Sequence, residues 1–264
     1  MAKRILTSAI GLIIFFGVLF AGNIVFSAAV FVVTLVMLTE FHKAMAAHRA
    51  VFAVSLLSGG TIAYSLLFQT LRPGFIAVII LYLAAAVFLF GKVNFKDIYA
   101  SGFATLFITI FMTMISLIRR EAGVAGALLV FLCAWITDSG AYFAGYFLGR
   151  HKLVPHLSPK KTVEGAIGGI IACICCCLLY LLILQACFGF EFNSNAYIWI
   201  SILGLAASVF AQLGDLTASA VKRDCNVKDF GYILPGHGGV MDRFDSVVFI
   251  APLIYYILFN TNIF

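Results

Sequence analysis

The chain has 264 residues, of which 63% are hydrophobic and 11% are charged, with a formal net charge of +6. Its mean hydropathy is +1.10. This composition excludes a soluble globular domain and indicates a helical protein with several membrane spans. No segment shows the period-two alternation typical of a β-barrel.

Nine apolar segments are each near the length of about 20 residues that a helix needs to cross the hydrocarbon core. They lie near residues 5–21, 23–41, 51–69, 74–91, 100–118, 124–147, 165–187, 197–219 and 245–261. The first resembles a signal peptide but leads at once into the second, so we interpret it as an uncleaved span. We expect an all-α, polytopic integral membrane protein of about nine transmembrane helices. The pairs Gly59-Gly60 and Gly168-Gly169 predict close helix approach or a kink.

Positive charge falls unevenly on the two sides of these spans. If the N-terminus is cytoplasmic, 14 of the 17 Lys and Arg residues lie on the cytoplasmic side, and only Arg72, Arg119 and Arg120 lie opposite. Because cytoplasmic loops carry the excess of positive charge, we expect the C-terminus on the opposite side. We also expect the protein to lie in the cytoplasmic (inner) membrane. The two long polar loops, 148–164 and 220–244, then face the cytoplasm and its nucleotides.

The seven cysteines do not suggest a disulfide framework, because six lie in apolar segments. A metal site at Cys173–Cys177 has no interleaved His or carboxylate, and buried packing is the favoured interpretation.

Two carboxylates stand in apolar segments, Asp138 in the sixth and Asp215 near the cytoplasmic end of the eighth. A charged carboxylate in a span costs at least ~2.5 kcal/mol unless it has a partner or lines a wet cavity. A structural ion pair and a polar active-site cavity both remain open. Asp215, Ser219 and Lys222 share one helix face by their spacing, which favours the cavity.

Asp242 and Asp245 directly precede the last apolar segment. They suit the start of a helix, and equally the binding of Mg²⁺, which one or two carboxylates commonly hold. Just before them, PGHGG at 235–239 places glycines around His237. Gly238 and Gly239 allow backbone N–H groups to approach phosphate, while His237 is either a turn residue or a proton-transfer group.

The loop 149–165 carries a second group of basic residues: Arg150, Lys152, Lys160 and Lys161. Two interpretations are open: the general excess of positive charge on the cytoplasmic side explains them, or they bind phosphate. Thr162 is expected to cap a helix that begins near Glu164, and a helix N-terminus there favours an anion. His151 and His156 have no evident partner. No zinc spacing, Walker A loop or GxGxxG occurs, and a nucleic-acid partner is not expected; anionic lipid or nucleotide phosphate suits the cations better.

The stretch from Ser219 to Asp245, SAVKRDCNVKDFGYILPGHGGVMDRFD, resembles the signature of the phosphatidate cytidylyltransferase (CDP-diacylglycerol synthase) family. The matching positions are Ser219, Lys222, Arg223, Lys228, Asp229, Gly231, Leu234, Pro235, His237, Gly238, Gly239, Asp242, Arg243 and Asp245. SPKKTVEG at 158–165 and DSGAYFAG at 138–145 resemble two further family motifs, whereas residues 1–95 carry none. We expect a single membrane domain over 1–264, with catalytic helices and cytoplasmic loops in 124–264.

The resemblance implies transfer of CMP from CTP to phosphatidate, with Mg²⁺, to give CDP-diacylglycerol and pyrophosphate for phospholipid biosynthesis. It leaves open whether a second cation takes part. Membrane lipids are expected partners, and the resemblance is the only ground for expecting a homodimer. Under this hypothesis Asp138, Asp215, Asp242 and Asp245 bind metal, and His237 and Lys222 join Asp215, Asp242 and Asp245 in catalysis. The residues expected to bind the substrates are Lys160, Lys161, Ser219, Arg223, Lys228, Gly238, Gly239 and Arg243.

Two alternatives stay open. One is a related CTP-dependent enzyme that acts on another lipid phosphate or on an alcohol. The other is an ion-coupled transporter that uses Asp138 and Asp215. The first, fourth and seventh spans are almost wholly apolar and the charge gathers at one membrane face, which disfavours the transporter.

Overall fold

The computed structural model describes the chain except residues 1, 68–70, 235, 237, 262 and 264, and leaves out the side chains of 2–6, 61–67 and 71–73. The described residues form nine α-helices and one β-hairpin. The helices are α1 (Ala2–Phe20), α2 (Asn23–Ala44), α3 (Arg49–Leu67), α4 (Leu71–Phe88), α5 (Phe95–Glu121), α6 (Gly123–Leu148), α7 (Val163–Phe188), α8 (Ser194–Asp224) and α9 (Met241–Thr261). The strands β1 (Lys152–Val154) and β2 (Ser158–Thr162) lie between α6 and α7.

The predicted polytopic helical membrane protein is confirmed. Within the described residues, six helices, α2 and α5 to α9, are long and apolar enough to cross a membrane. The apolar parts of the other three that are described are shorter, at Thr7–Phe20, Arg49–Gly60 and Gly74–Phe88. The total of nine spans and the orientation of the termini therefore remain predictions.

Packing divides the chain into two compact units. The first comprises Met1–Arg120 with Asp224–Arg243, and the second comprises Glu121–Arg223 with Phe244–Phe264. The expectation of a single membrane domain stays a prediction.

Buried polar contacts join the helices of the first unit. The hydroxyl groups of Ser55 and Tyr82 lie 2.8 Å and 2.7 Å from the hydroxyl of Thr105. Arg119 donates to a backbone carbonyl at the end of α1 and, over 2.8 Å, to the side chain of Asn23. Because buried polar groups are costly without partners, these bonds favour one arrangement of α1 to α5.

Small residues bring α6 and α7 of the second unit into close contact. A Cβ atom on Gly165 would lie 2.7 Å from the Ala141 carbonyl oxygen, and one on Gly169 would lie 2.9 Å from the Thr137 carbonyl oxygen. The predicted close approach at Gly168-Gly169 is confirmed. It sets the distance between the sixth span, which carries Asp138, and the hairpin that leads into α7.

Three cysteines lie inside this α6–α7 contact. Cys133, Cys173 and Cys177 are buried, and the sulfur atoms of Cys133 and Cys177 are 3.6 Å apart. Cys175 is exposed and Cys176 is half-buried. The burial of these three cysteines agrees with the packing interpretation.

The loop predicted between the sixth and seventh spans folds into the β1–β2 hairpin. Lys152 lies opposite Thr162 in antiparallel register. The Thr162 hydroxyl accepts the Gly165 N–H over 3.1 Å at the start of α7, so the predicted cap is confirmed. The expectation that His151 lacks a partner is wrong, because its ring nitrogen lies 2.6 Å from the carboxylate of Glu164. Glu164 also accepts the N–H of Arg150 and thereby closes the hairpin onto the first turn of α7.

Candidate functional site

A cavity of about 520 Å³ with both apolar and charged lining residues opens in the second unit among α6, the hairpin, α7 and α8. Its lining includes Asp138 from α6, Lys160 and Lys161 from β2, and Asp215 from α8. The structure thus gathers four residues that the sequence singled out in three separate segments of the chain. Polar groups in a concave site of this size are typical of small-molecule binding.

An ion pair crosses the cavity between Lys161 and Asp215. The two side chains are 25% and 33% exposed, so solvent and small ions reach both. Next to this pair, the amide of Gln212 donates to the Ala166 carbonyl over 3.2 Å and ties α8 to α7. The pair therefore lies on a fixed framework, although its own members remain accessible.

Asp245 joins the same group of charges from α9. Its side chain is buried and lies close enough to Asp215, Asp138 and Lys222 to interact with their charges. The close contact between α8 and α9 depends on Gly214, where a Cβ atom would lie 2.8 Å from the Asp245 carbonyl oxygen. Three of the four predicted metal ligands and one predicted catalytic lysine are thus brought together.

The remaining predicted residues of α8 follow the same helix toward its end. α8 continues to Asp224, so Asp215, Ser219 and Lys222 share one face as the spacing predicts. Ser219 and Lys222 are half-buried and Arg223 is exposed. The helix therefore carries its charged face beyond the end of the eighth apolar segment.

The signature loop, residues 225–240, belongs to the first unit and folds back on itself. Leu234 donates its N–H to the Gly238 carbonyl over 3.0 Å. Gly238 has φ +83°, a conformation that favours glycine. Lys228, Asp229, Tyr232 and Arg243 line a second cavity of about 500 Å³ beside this turn. His237, a predicted catalytic residue, lies outside the described residues.

Asp242 is engaged with the backbone of that loop. Its Oδ2 atom accepts the N–H of Phe230 over 2.9 Å and the N–H of Gly239 over 3.0 Å. Both predicted interpretations of this residue, helix-start acceptor and metal ligand, remain available. Both bonded amides belong to the loop before α9 and neither belongs to the first turn of α9, so these bonds hold the loop and do not cap the helix.

Glu40 was missed by the sequence reasoning. This residue of α2 is 3% exposed, and its carboxylate accepts the N–H groups of Val240 and Met241 over 3.0 Å and 2.8 Å. A signal was available, because a carboxylate inside the second apolar segment carries the same cost that drew attention to Asp138 and Asp215. Its partners, about 200 positions downstream, could not be read from the sequence.

The two carboxylates that line this cavity, Asp138 and Asp215, and the buried Asp245 near them suit a hard divalent cation. Asp138, Asp215 and Asp245 offer carboxylate oxygens, which Mg²⁺ prefers, and Mg²⁺ commonly completes its shell with water and phosphate. They do not form a closed cage: in the part of the chain that the structure describes, the one group of three ligand-bearing residues with donor atoms within 4.8 Å is Cys133, Cys173 and Cys177. The carboxylates therefore fit the open kind of site in which substrate supplies ligands.

Comparison with known proteins identifies the family. The sequence model of the Cytidylyltransferase family matches residues 2–261. A phosphatidate cytidylyltransferase of Staphylococcus epidermidis is 35% identical over 99% of this chain and 100% of its own length. The phosphatidate cytidylyltransferases of Bacillus subtilis and Staphylococcus aureus are 33% and 35% identical, over 98% and 99% of this chain and 97% and 100% of their own lengths. The chain belongs to the Cytidylyltransferase family.

Proposed function

We propose that this chain transfers the CMP moiety of CTP to phosphatidate and releases CDP-diacylglycerol and pyrophosphate. The observation that carries the proposal is similarity over nearly the whole length to relatives that are phosphatidate cytidylyltransferases. The cavity geometry supports it, because lysines and carboxylates meet in a helical membrane protein. The reaction joins a lipid acceptor to a charged nucleotide donor, so it requires charged groups within a membrane protein.

The chemistry asks little covalent work of the protein. An oxygen of the phosphatidate phosphate attacks the α-phosphorus of CTP, and the bond from that phosphorus to the bridging oxygen of the β-phosphate breaks. The electron pair leaves with pyrophosphate. Because the acceptor phosphate is already anionic at pH 7, a strong general base is unnecessary, and positioning with charge stabilisation supplies most of the rate.

Lysines of the first cavity are the proposed phosphate ligands. Lys160 is exposed beside it, and Lys161 is held in it by Asp215. Each ammonium group can donate to phosphate oxygens, and such charge-assisted bonds are the stronger kind. Lys222, Arg223, Lys228 and Arg243, with Ser219, Gly238 and Gly239, are proposed as further substrate contacts at α8 and the signature loop.

Mg²⁺ is proposed as the cofactor, held by Asp215, Asp245 and Asp138. When bound, it would supply positive charge that offsets the charge developing on the phosphates. Asp242 is proposed as a further Mg²⁺ ligand. Its Oδ2 atom accepts two loop amides, so one variant can test metal binding and anchoring of the loop separately. Asp242→Asn should accelerate hydrogen exchange at residues 228–241 if it anchors the loop, and should raise the Mg²⁺ requirement if it is a ligand. A second cation and a homodimer remain proposals that the family resemblance supports.

We place the site on the cytoplasmic side, with nine spans, the N-terminus inside and the C-terminus outside. The charge asymmetry of the loops supports this orientation. Cysteine labelling with an impermeant reagent in intact cells tests it, with single cysteines introduced at position 152 and near the C-terminus of an otherwise cysteine-free variant. Labelling at position 152 from outside would contradict it.

The activity itself is tested with the purified protein, labelled CTP, Mg²⁺ and a panel of lipid phosphates and lipid alcohols. We expect a CDP-lipid with phosphatidate and pyrophosphate in equal amount. A CDP-lipid with another acceptor alone would favour the related enzyme. The absence of any CTP-dependent product with every acceptor would overturn the proposal and favour the transporter.

A further inference from the structure

Glu40 is the buried carboxylate that the proposed reaction does not use. Its Oε1 atom accepts the N–H of Val240 and its Oε2 atom accepts the N–H of Met241. These amides lie at the start of α9, where a negative charge is also favoured by the helix dipole. Both oxygens are thus engaged by the backbone at the point where the signature loop becomes a helix.

Two glycines of the signature leave room for this carboxylate. The three heavy atoms nearest to a Cβ placed on Gly231 would all belong to the Glu40 side chain. A Cβ on Gly239 would lie 2.6 Å from Glu40 Oε2. The loop therefore passes close to the Glu40 carboxylate at two positions, eight residues apart. A larger side chain at either glycine would push the loop and the carboxylate apart.

Neighbouring contacts fix the same piece of backbone. Asp242 accepts the amides of Phe230 and Gly239, so four N–H groups of the loop and of the first residue of α9 end on two carboxylates. The ring of Phe230 stacks on that of Phe41, with centroids 5.9 Å apart, directly beside Glu40 in α2. Polar and apolar contacts thus hold the loop to the same turn of α2.

We propose that Glu40 is a positioning residue that sets the shape of the signature loop and, through it, the cavity lined by Lys228, Asp229 and Arg243. The kinetic part of this proposal rests on the proposed function. A carboxylate suits the task because each oxygen accepts one amide, whereas a glutamine would turn an NH₂ group toward one of the two N–H donors. A buried carboxylate without a positioning role would not need one backbone N–H on each of its two oxygens.

The first test compares Glu40→Gln with Glu191→Gln, a matched change at an exposed glutamate of the α7–α8 loop. Hydrogen exchange at residues 228–241 should become at least about tenfold faster in Glu40→Gln and should not change in Glu191→Gln. This readout needs no catalysis, so it remains decisive even if the protein does not use CTP. Unchanged exchange in Glu40→Gln would overturn the positioning role.

The second readout is the split between KM and kcat. Glu40→Gln should lower kcat/KM for CTP about 10- to 100-fold, with KM rising, because small displacements of binding groups cost rates of this order. A variant that only folds less well would lose active enzyme and lower kcat with KM unchanged. That pattern, or full activity, would overturn the proposal.

A double-mutant cycle guards against misfolding of one variant. Gly231→Ala should lower kcat/KM by at least about tenfold in the wild-type background, since its new methyl group meets Glu40. In a Glu40→Ala background, which removes those atoms, Gly231→Ala should add less than about a twofold loss. An equal penalty in both backgrounds would show that the glycine serves something other than Glu40 and would contradict the proposal.

Discussion

The contact between α8 and α9 at Gly214 offers a sharp test of the carboxylate cluster. A Cβ atom there would lie 2.8 Å from the Asp245 carbonyl oxygen and 2.9 Å from the ring of Phe249. Ordinary van der Waals contact begins near 3.4 Å, so Gly214→Ala must move the two helices apart by about 0.6 Å. Asp215 and Asp245 are the groups that this movement separates.

The expected cost has two parts. Overpacking of this size destabilises by about 1–3 kcal/mol, and misplacement of reacting groups by up to about 1 Å lowers rates by as much as 100-fold. We expect kcat/KM for CDP-lipid formation to fall about 10- to 100-fold, together with a lower midpoint of thermal unfolding. Under the proposal that both carboxylates hold Mg²⁺, the Mg²⁺ concentration for half-maximal activity should also rise, because the movement separates them.

The matched control is Gly17→Ala in α1, where a Cβ atom meets nothing within 4 Å. It should leave kcat/KM and the Mg²⁺ requirement unchanged. If Gly214→Ala retained both the rate and the Mg²⁺ requirement of the wild type, the close approach of α8 and α9 would have no bearing on the site, and the carboxylate assignment would fail with it.

Three further predictions follow from other contacts. Lys161→Met should raise KM for an anionic substrate about tenfold or more, because it removes a charge-assisted donor from the cavity, and kinetics with Lys161→Arg should show partial recovery; equal loss in both would contradict a charge role. Asp245→Asn should raise the Mg²⁺ concentration for half-maximal activity at least about tenfold in a metal titration, and full activity at limiting Mg²⁺ would remove it from the ligand set. Thr162→Ala should lower stability by about 1 kcal/mol in thermal unfolding, since the Gly165 amide loses its acceptor, whereas Thr162→Ser keeps the hydroxyl and should not.

The helices were predictable because apolar length is a direct consequence of crossing a bilayer. The predicted segments 124–147 and 165–187 differ from α6 and α7 by only one or two residues at each end. The eighth apolar segment was predicted to end near 219, and α8 continues to Asp224, in agreement with the predicted helix face that Asp215, Ser219 and Lys222 share. Lys222 and Arg223 lie in the last turn of α8, where positive charge is favoured by the helix dipole. The β1–β2 hairpin was not predicted, since SPKKT shows no alternation and the bonds of Glu164 to Arg150 and His151 are not evident in the sequence.

The site residues were predictable where their cost was visible in a single segment. Asp138 and Asp215 each stand out in an apolar stretch, and the structure brings both to one cavity. The pairing of Lys161 with Asp215 joins residues more than 50 positions apart in the sequence, so it could be found only from the structure. The same holds for Gly214, whose close contacts are with the Asp245 carbonyl oxygen and the Phe249 ring of α9.

The hydrogen-bond and ion-pair partners of Glu40, Asp242 and Asp215 indicate two kinds of role for these three carboxylates. Glu40 and Asp242 accept N–H groups of the backbone, which cannot move away without unfolding the loop. Asp215 is paired with Lys161, whose flexible side chain can turn toward a phosphate and leave the carboxylate to a cation. An acid bound by backbone amides is therefore suited to fix a shape, and an acid bound by a lysine in an open cavity is suited to exchange partners during a reaction. Glu40 and Asp215 both stand in apolar segments, so the sequence alone does not separate these two roles, whereas the groups that donate to the two carboxylates do.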